Sequence, residues 1–76
     1  MNILITGVAG LLGSRLAQHI LNTKHNTNVI GIDDLSGGYL NNVPMGVDFY
    51  QLNLVNPVEL EEVFKNHNID IVYHFA

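Results

Sequence analysis

The sequence predicts an α/β fold, a parallel sheet with flanking helices, and three observations carry that prediction. Short apolar runs rich in β-branched residues alternate with amphipathic stretches. Glycines cluster where the first run stops, and a pair of aspartates closes the second.

Asn2 to Thr6, with Ile3, Ile5 and Thr6 β-branched and Gly7 behind it, suits a strand buried on both faces. Leu11 to Asn22 follows as a helix. Leu12, Leu16 and Ile20 recur four apart, as do Gly13, Ala17 and Leu21, giving a wide apolar stripe with Ser14, Arg15 and Gln18 outside it. Polar Asn22 to Asn28 is a loop. Val29 to Ile32 is a second buried strand that ends at Asp33-Asp34.

Leu35 to Gly46 contains Gly37, Gly38, Pro44 and Gly46, so a loop with at most one helical turn is expected. Val47 to Leu52 is a third strand. Asn56-Pro57-Val58-Glu59 then reads as a helix start: an N-cap, proline at the first position and glutamate at the third. Val55 and Leu60 stand where a hydrophobic staple would put them, and Leu60, Val63 and Phe64 are expected to face the sheet. The helix fades at Asn66 to Asn68. Asp70 to Phe75 is a fourth strand, apolar enough to be buried. The order is β-α-β, a loop, then β-α-β, in one unit without repeats or linkers.

Length and composition pull in different directions. Seventy-six residues is short for such a fold, and a chain of this size buries only about 60% of its unfolded surface. Yet 47% of the residues are hydrophobic. The expectation is an N-terminal fragment, residues 1–76, of a longer domain whose catalytic and substrate-binding regions lie elsewhere.

Net charge is −4 with three basic residues, Arg15, Lys24 and Lys65, so neither nucleic acid nor an anionic membrane is an expected partner. Cysteine is absent, which leaves no disulfide, thiol nucleophile or cysteine-bound metal and is compatible with the cytoplasm. Met1 to Leu12 lacks the cationic start of a secretory signal, and no apolar run is long enough to span a bilayer. The chain reads as soluble.

The run Thr6-Gly7-Val8-Ala9-Gly10-Leu11-Leu12-Gly13 carries the functional signal. A diphosphate can be held by the unpaired N–H groups and positive dipole end of a helix N-terminus, if the backbone turns sharply out of a strand and side chains stay clear. Gly7 permits the turn, Gly10 leaves room for the ligand, and Gly13 lets helix and sheet pack closely. Asp33 lies 20 residues beyond Gly13, the offset of a carboxylate that binds ribose hydroxyls and repels a 2′-phosphate. The stretch Asp34 to Gly38 holds no basic residue, so NAD is favoured over NADP. Packing glycines and a turn-forming Asp33 are the weaker alternatives. Asn53 reads equally as a partner for the adenine rim or as an Asx turn before the second helix.

Taken together, these residues define a Rossmann-type unit and resemble the extended short-chain dehydrogenase/reductase family, within it the NAD-dependent nucleotide-sugar epimerases and dehydratases. The glycine pattern sets the first two glycines three apart, not two as in G-x-G-x-x-G. Asp33-Asp34-Leu35-Ser36-Gly37-Gly38 is similar to the family's stretch after the second strand, and Ile69-Asp70-x-Val72-x-His74-Phe75-Ala76 to its fourth strand. The resemblance implies diphosphate contacts at Gly7, Gly10, Leu11 and Leu12, with Gly13 in packing. It implies ribose contacts at Asp33, Asp34, Ser36 and Gly37, adenine contacts at Asn53 and Leu54, and further cofactor contacts at Phe75 and Ala76. Where Asn53 stands, the family usually has aspartate. The implied activity is transient hydride transfer between a nucleotide-sugar and NAD, in a homodimer.

The family's Tyr-x-x-x-Lys pair has no counterpart: Val43 follows Tyr39 at that spacing and Leu54 follows Tyr50, while Tyr73 lies too near the end. These tyrosines read as packing residues. His19, His25, His67 and His74 lack close ligand spacing and read as surface or core histidines. Arg15 reads as solvent-facing. Three other readings stay open: a different extended reductase, a non-catalytic dinucleotide sensor or scaffold, and an S-adenosylmethionine site.

Overall fold

The computed structural model describes all 76 residues, Met1–Ala76. Strands β1 (Asn2–Thr6), β2 (Asn28–Asp33), β3 (Val47–Gln51) and β4 (Ile71–His74) pair in parallel in the order β3-β2-β1-β4. Helix α1 (Leu11–Thr23) connects β1 to β2, and α2 (Pro57–Asn66) connects β3 to β4. A single 3-10 turn, Leu40–Asn42, interrupts the long loop before β3. The chain thus builds outward from β1 through β2 to β3, then returns to the far side of β1.

Alternation along the strands divides the core between the two sheet faces. Ile3, Ile5 and Val29 pack with Val8 and with Ala17 and Ile20 of α1. Leu4, Ile30, Ile32 and Leu52 pack with Val63 of α2. Both central strands are therefore covered on two sides, as their near-continuous apolar runs require. At the opposite sheet end, the Asn2 N–H donates to Asp70 Oδ2 at 2.7 Å, tying β1 to the approach of β4.

Helix α2 starts as its sequence demands. Asn56 Oδ1 accepts from the N–H groups of Val58 at 3.1 Å and Glu59 at 3.3 Å, a cap worth about 1 kcal/mol. The reciprocal half of a capping box is not made, because the Asn56 N–H is taken by the Asn53 carbonyl at 2.9 Å.

Several expectations fail, each for a local reason. The Val55–Leu60 staple does not form: Val55 is 83% exposed in the turn before α2. Phe64 does not face the sheet and is exposed, because α2 meets it through Leu60 and Val63 and Phe64 lies one residue round the helix. Leu12 is likewise exposed, since the buried stripe of α1 centres on Gly13, Ala17 and Ile20. Tyr39 is 74% exposed and belongs to neither apolar cluster. The fourth strand is shorter than expected and is not buried: β4 is an edge strand, so Val72 and Tyr73 remain accessible.

Candidate functional site

A cleft of about 390 Å³ opens at the carboxyl ends of all four strands. Gly7 and Gly10 follow β1, Ile32 and Asp33 end β2, Leu52, Asn53 and Leu54 follow β3, and Phe75 and Ala76 follow β4. Asp34, Ser36, Gly37 and Gly38 complete the wall. Here the connection leaving β1 runs to β2 on one side while the connection leaving β3 crosses to β4 on the other, the switch point at which open α/β sheets bind ligands.

The turn from β1 into α1 satisfies its own donors and then stops. The N–H groups of Gly7 (2.8 Å) and Val8 (3.3 Å) share the Ile32 carbonyl, that of Ala9 donates to Asp33 Oδ2 at 2.9 Å, and that of Gly10 donates to the Gly7 carbonyl at 3.0 Å. The next three, on Leu11, Leu12 and Gly13, have no acceptor in the chain, and regular helical bonding resumes with Ser14 to the Gly10 carbonyl at 3.0 Å. Three unpaired donors converge at the positive end of a 13-residue helix with no acidic side chain in its first turn. The sequence marked Leu11, Leu12 and Gly13 as site residues; none of the three lines the cleft, and their unpaired N–H groups lie at the helix start next to Gly10, which does.

Two glycines in this turn answer to different demands. A Cβ on Gly13 would run into the Gly7 carbonyl oxygen, so chain packing alone excludes a side chain there. A Cβ on Gly10 would meet only that same oxygen, at 3.3 Å, and otherwise stand in the cleft. Gly10 is bare on the side a ligand would use.

Asp33 is 9% exposed and both its oxygens already serve the backbone: Oδ2 accepts from Ala9 and Oδ1 from the Leu35 N–H at 2.8 Å. Each carboxylate oxygen has a further lone pair, so the residue is at once a turn former and a fixed acceptor facing the cleft. The sequence alternatives for Asp33 are compatible rather than exclusive. Leu35 adopts φ +65°, a left-handed conformation costing a non-glycine residue about 1–2 kcal/mol. Beside it, Asp34 Oδ1 accepts from the Ser36 hydroxyl at 2.7 Å and the Ser36 N–H at 2.9 Å, and these bonds hold the Asp34 carboxyl below its usual value. Asn53 makes the expected Asx turn, its Oδ1 accepting from the Val55 N–H at 3.0 Å, while its amide nitrogen has no partner in the chain.

Ile32, Leu52 and Gly38 line the cleft without having been singled out. Ile32 was legible as the last apolar residue before Asp33. Leu52 and Gly38 reach the wall only through the folding of their loops. No helix is long and apolar enough to cross a membrane.

Fold and cleft together define a Rossmann-type unit. Residues 3–76 match the model of the NAD dependent epimerase/dehydratase family, and the chain belongs to that family. It is 31% identical to UDP-glucose 4-epimerase of Drosophila melanogaster over 97% of this chain and 24% of that protein. It is 35% identical to dTDP-D-glucose 4,6-dehydratase of Dictyostelium discoideum over 97% of this chain and 18% of that protein. Among solved structures, UDP-glucose 4-epimerase from Thermotoga maritima, with UDP-glucose, superposes with a TM-score of 0.93 at 33% identity, over 100% of this chain and 24% of that one. The dTDP-glucose 4,6-dehydratase from Bacillus anthracis, in complex with NAD, gives the same TM-score and identity over 100% of this chain and 26% of that one. The chain therefore spans between 18% and 26% of the length of these relatives.

Proposed function

We propose that this chain is the N-terminal, NAD-binding segment of a longer nucleotide-sugar epimerase or dehydratase, most like UDP-glucose 4-epimerase. The observation that carries the reading is the set of three unpaired N–H groups on Leu11, Leu12 and Gly13 beside a cleft walled by Asp33. Gly7 and Gly10 give the diphosphate backbone access, Asp33, Asp34, Ser36 and Gly37 line the adenosine ribose, and Asn53 and Leu54 border the adenine. Phe75 and Ala76 continue the wall toward the nicotinamide half. A cleft of about 390 Å³ lies within the range of small-ligand sites.

NAD bound here would supply the hydride acceptor for a sugar carbon in the whole enzyme. The work of this segment is to hold and orient the adenosine half, which fixes where the reactive end lies. No tyrosine in the chain is followed four residues on by lysine, so the proton-transfer machinery belongs to the rest of the enzyme. The family resemblance further implies a homodimer, the names of the relatives support a nucleotide-sugar as substrate of the whole enzyme, and a cysteine-free acidic chain suits the cytoplasm.

Calorimetric titration with NAD, NADP and S-adenosylmethionine tests the reading. NAD is expected to bind most tightly, and the 76-residue chain alone to turn over no UDP-glucose. Preference for NADP, or for the methionine cofactor, would overturn it.

A further inference from the structure

Ala9 lies at the middle of the β1–α1 turn and is fully buried. Its N–H is held by Asp33 Oδ2, and its carbonyl by two donors from the loop before β3: the Tyr39 N–H at 3.3 Å and Asn42 Nδ2 at 3.1 Å. The Gly38 backbone packs so closely that a Cβ there would sit 2.7 Å from the carbon and oxygen of that carbonyl. The loop is thus pressed onto the turn at one peptide.

Asn42 has no local use for its side chain. The 3-10 turn closes through backbone alone, Asn42 N–H to the Tyr39 carbonyl at 2.9 Å and Val43 N–H to the Leu40 carbonyl at 3.0 Å. The side-chain amide is spent entirely on a residue 33 positions away. Neither Tyr39 nor Asn42 lines the cleft, so the Ala9 carbonyl points its negative end at groups outside it. The other end of the same peptide, the Gly10 N–H, is fixed on the Gly7 carbonyl. With both ends fixed, the peptide cannot rotate to turn its oxygen on an incoming diphosphate.

We infer that Asn42 is a positioning residue for diphosphate binding, acting through the Ala9 carbonyl. This rests on the NAD reading above. The test uses the protein that carries this chain, freed of nucleotide, with Asn42→Asp, which keeps the shape but puts a charged acceptor in place of the donor, and Asn42→Ala, which removes the donor without adding charge. Affinities are measured for NAD, ADP and adenosine. Both variants should weaken NAD and ADP about fivefold to tenfold and leave adenosine within about twofold, the loss expected for one neutral hydrogen bond felt at the diphosphate.

Unchanged NAD affinity in both variants overturns the inference, and so does an equal loss for adenosine, which would place the effect in the general fold. Amide hydrogen exchange provides a readout that needs no ligand. Exchange at Gly10 should quicken in Asn42→Asp while the interior amides of β1 and β2 keep their protection. Should the unsubstituted protein bind neither NAD nor ADP, the cofactor reading fails, and the Gly10 exchange rate still decides whether Asn42 holds the turn.

Discussion

Thr6 Oγ1 and His74 Nδ1 lie 2.6 Å apart, joining β1 to β4 at the level where the glycine turn begins. Thr6 is 3% exposed and His74 is accessible, so the two partners do not suffer equally when the bond is broken. Next along the chain, the Phe75 N–H donates to the Thr6 carbonyl at 3.1 Å. Backbone and side chain together fasten the last strand beside the cleft.

That asymmetry gives a first prediction. His74→Ala strands a buried hydroxyl and should destabilise the fold by about 1–3 kcal/mol, whereas Thr6→Val in the His74→Ala background should restore part of the loss. Urea unfolding of the two single variants and the double variant measures the coupling, expected at about 0.5–1.5 kcal/mol. A coupling of zero means that the bond contributes nothing.

Gly10 and Gly13 should separate binding from folding. Gly13→Ala forces a methyl against the Gly7 carbonyl, and the expected cost is about 1–3 kcal/mol despite the better helix propensity of alanine. Gly10→Ala should change stability by no more than about 0.5 kcal/mol. It should still weaken NAD by about tenfold or more, because its methyl enters the cleft. Thermal melts paired with titrations check both; a Gly10→Ala protein that binds NAD normally would remove the diphosphate from this turn.

Asp33 should affect stability and cofactor choice separately. Asp33→Ala leaves the buried Ala9 N–H without an acceptor and should lower stability by about 1–3 kcal/mol. Asp33→Asn keeps one oxygen and removes the charge, so NAD binding should weaken while the disadvantage of NADP narrows by about tenfold. Competitive titration of the two dinucleotides reads that ratio.

The Asp34 carboxyl is held below 3.8, first by the Ser36 hydroxyl and then by the Ser36 N–H. A group lowered on folding adds stability above its unfolded value, and that contribution disappears as pH falls through the folded one. Ser36→Ala should therefore move the Asp34 midpoint back toward 3.8, followed by carboxyl-carbon NMR. No movement would show that the hydroxyl bond is not formed in solution. Asp34 is exposed, so little change in overall stability accompanies the shift.

Most of the architecture was legible because its causes are local. β-branched runs marked β1 and β2, the Asn56-Pro57 pair marked the start of α2, and spacing tied Asp33 to the glycines. What was missed depends on neighbours distant in sequence. Val72 and Tyr73 have the composition of an interior strand, yet within residues 1–76 no strand pairs on the outer side of β4 and both remain accessible, which no short window contains. Phe64 fits a generous helical stripe, but only contact with the sheet decides how wide that stripe is. The bond from the Ala9 N–H to Asp33 and the reach of Asn42 to the Ala9 carbonyl arise from loops folded against each other, and residue type gave no sign of either partner.

The return of the chain to the free side of β1 has a consequence for biosynthesis. As the polypeptide leaves the ribosome, β1, α1 and β2 can assemble early, but the slot beside β1 stays vacant until residues 71–74 emerge. At about 5–20 residues per second, seconds pass between completion of Asp33 and arrival of the last wall. The proposed nucleotide capture thus waits for β4, and it would report that the nascent chain has threaded its strands in the correct order.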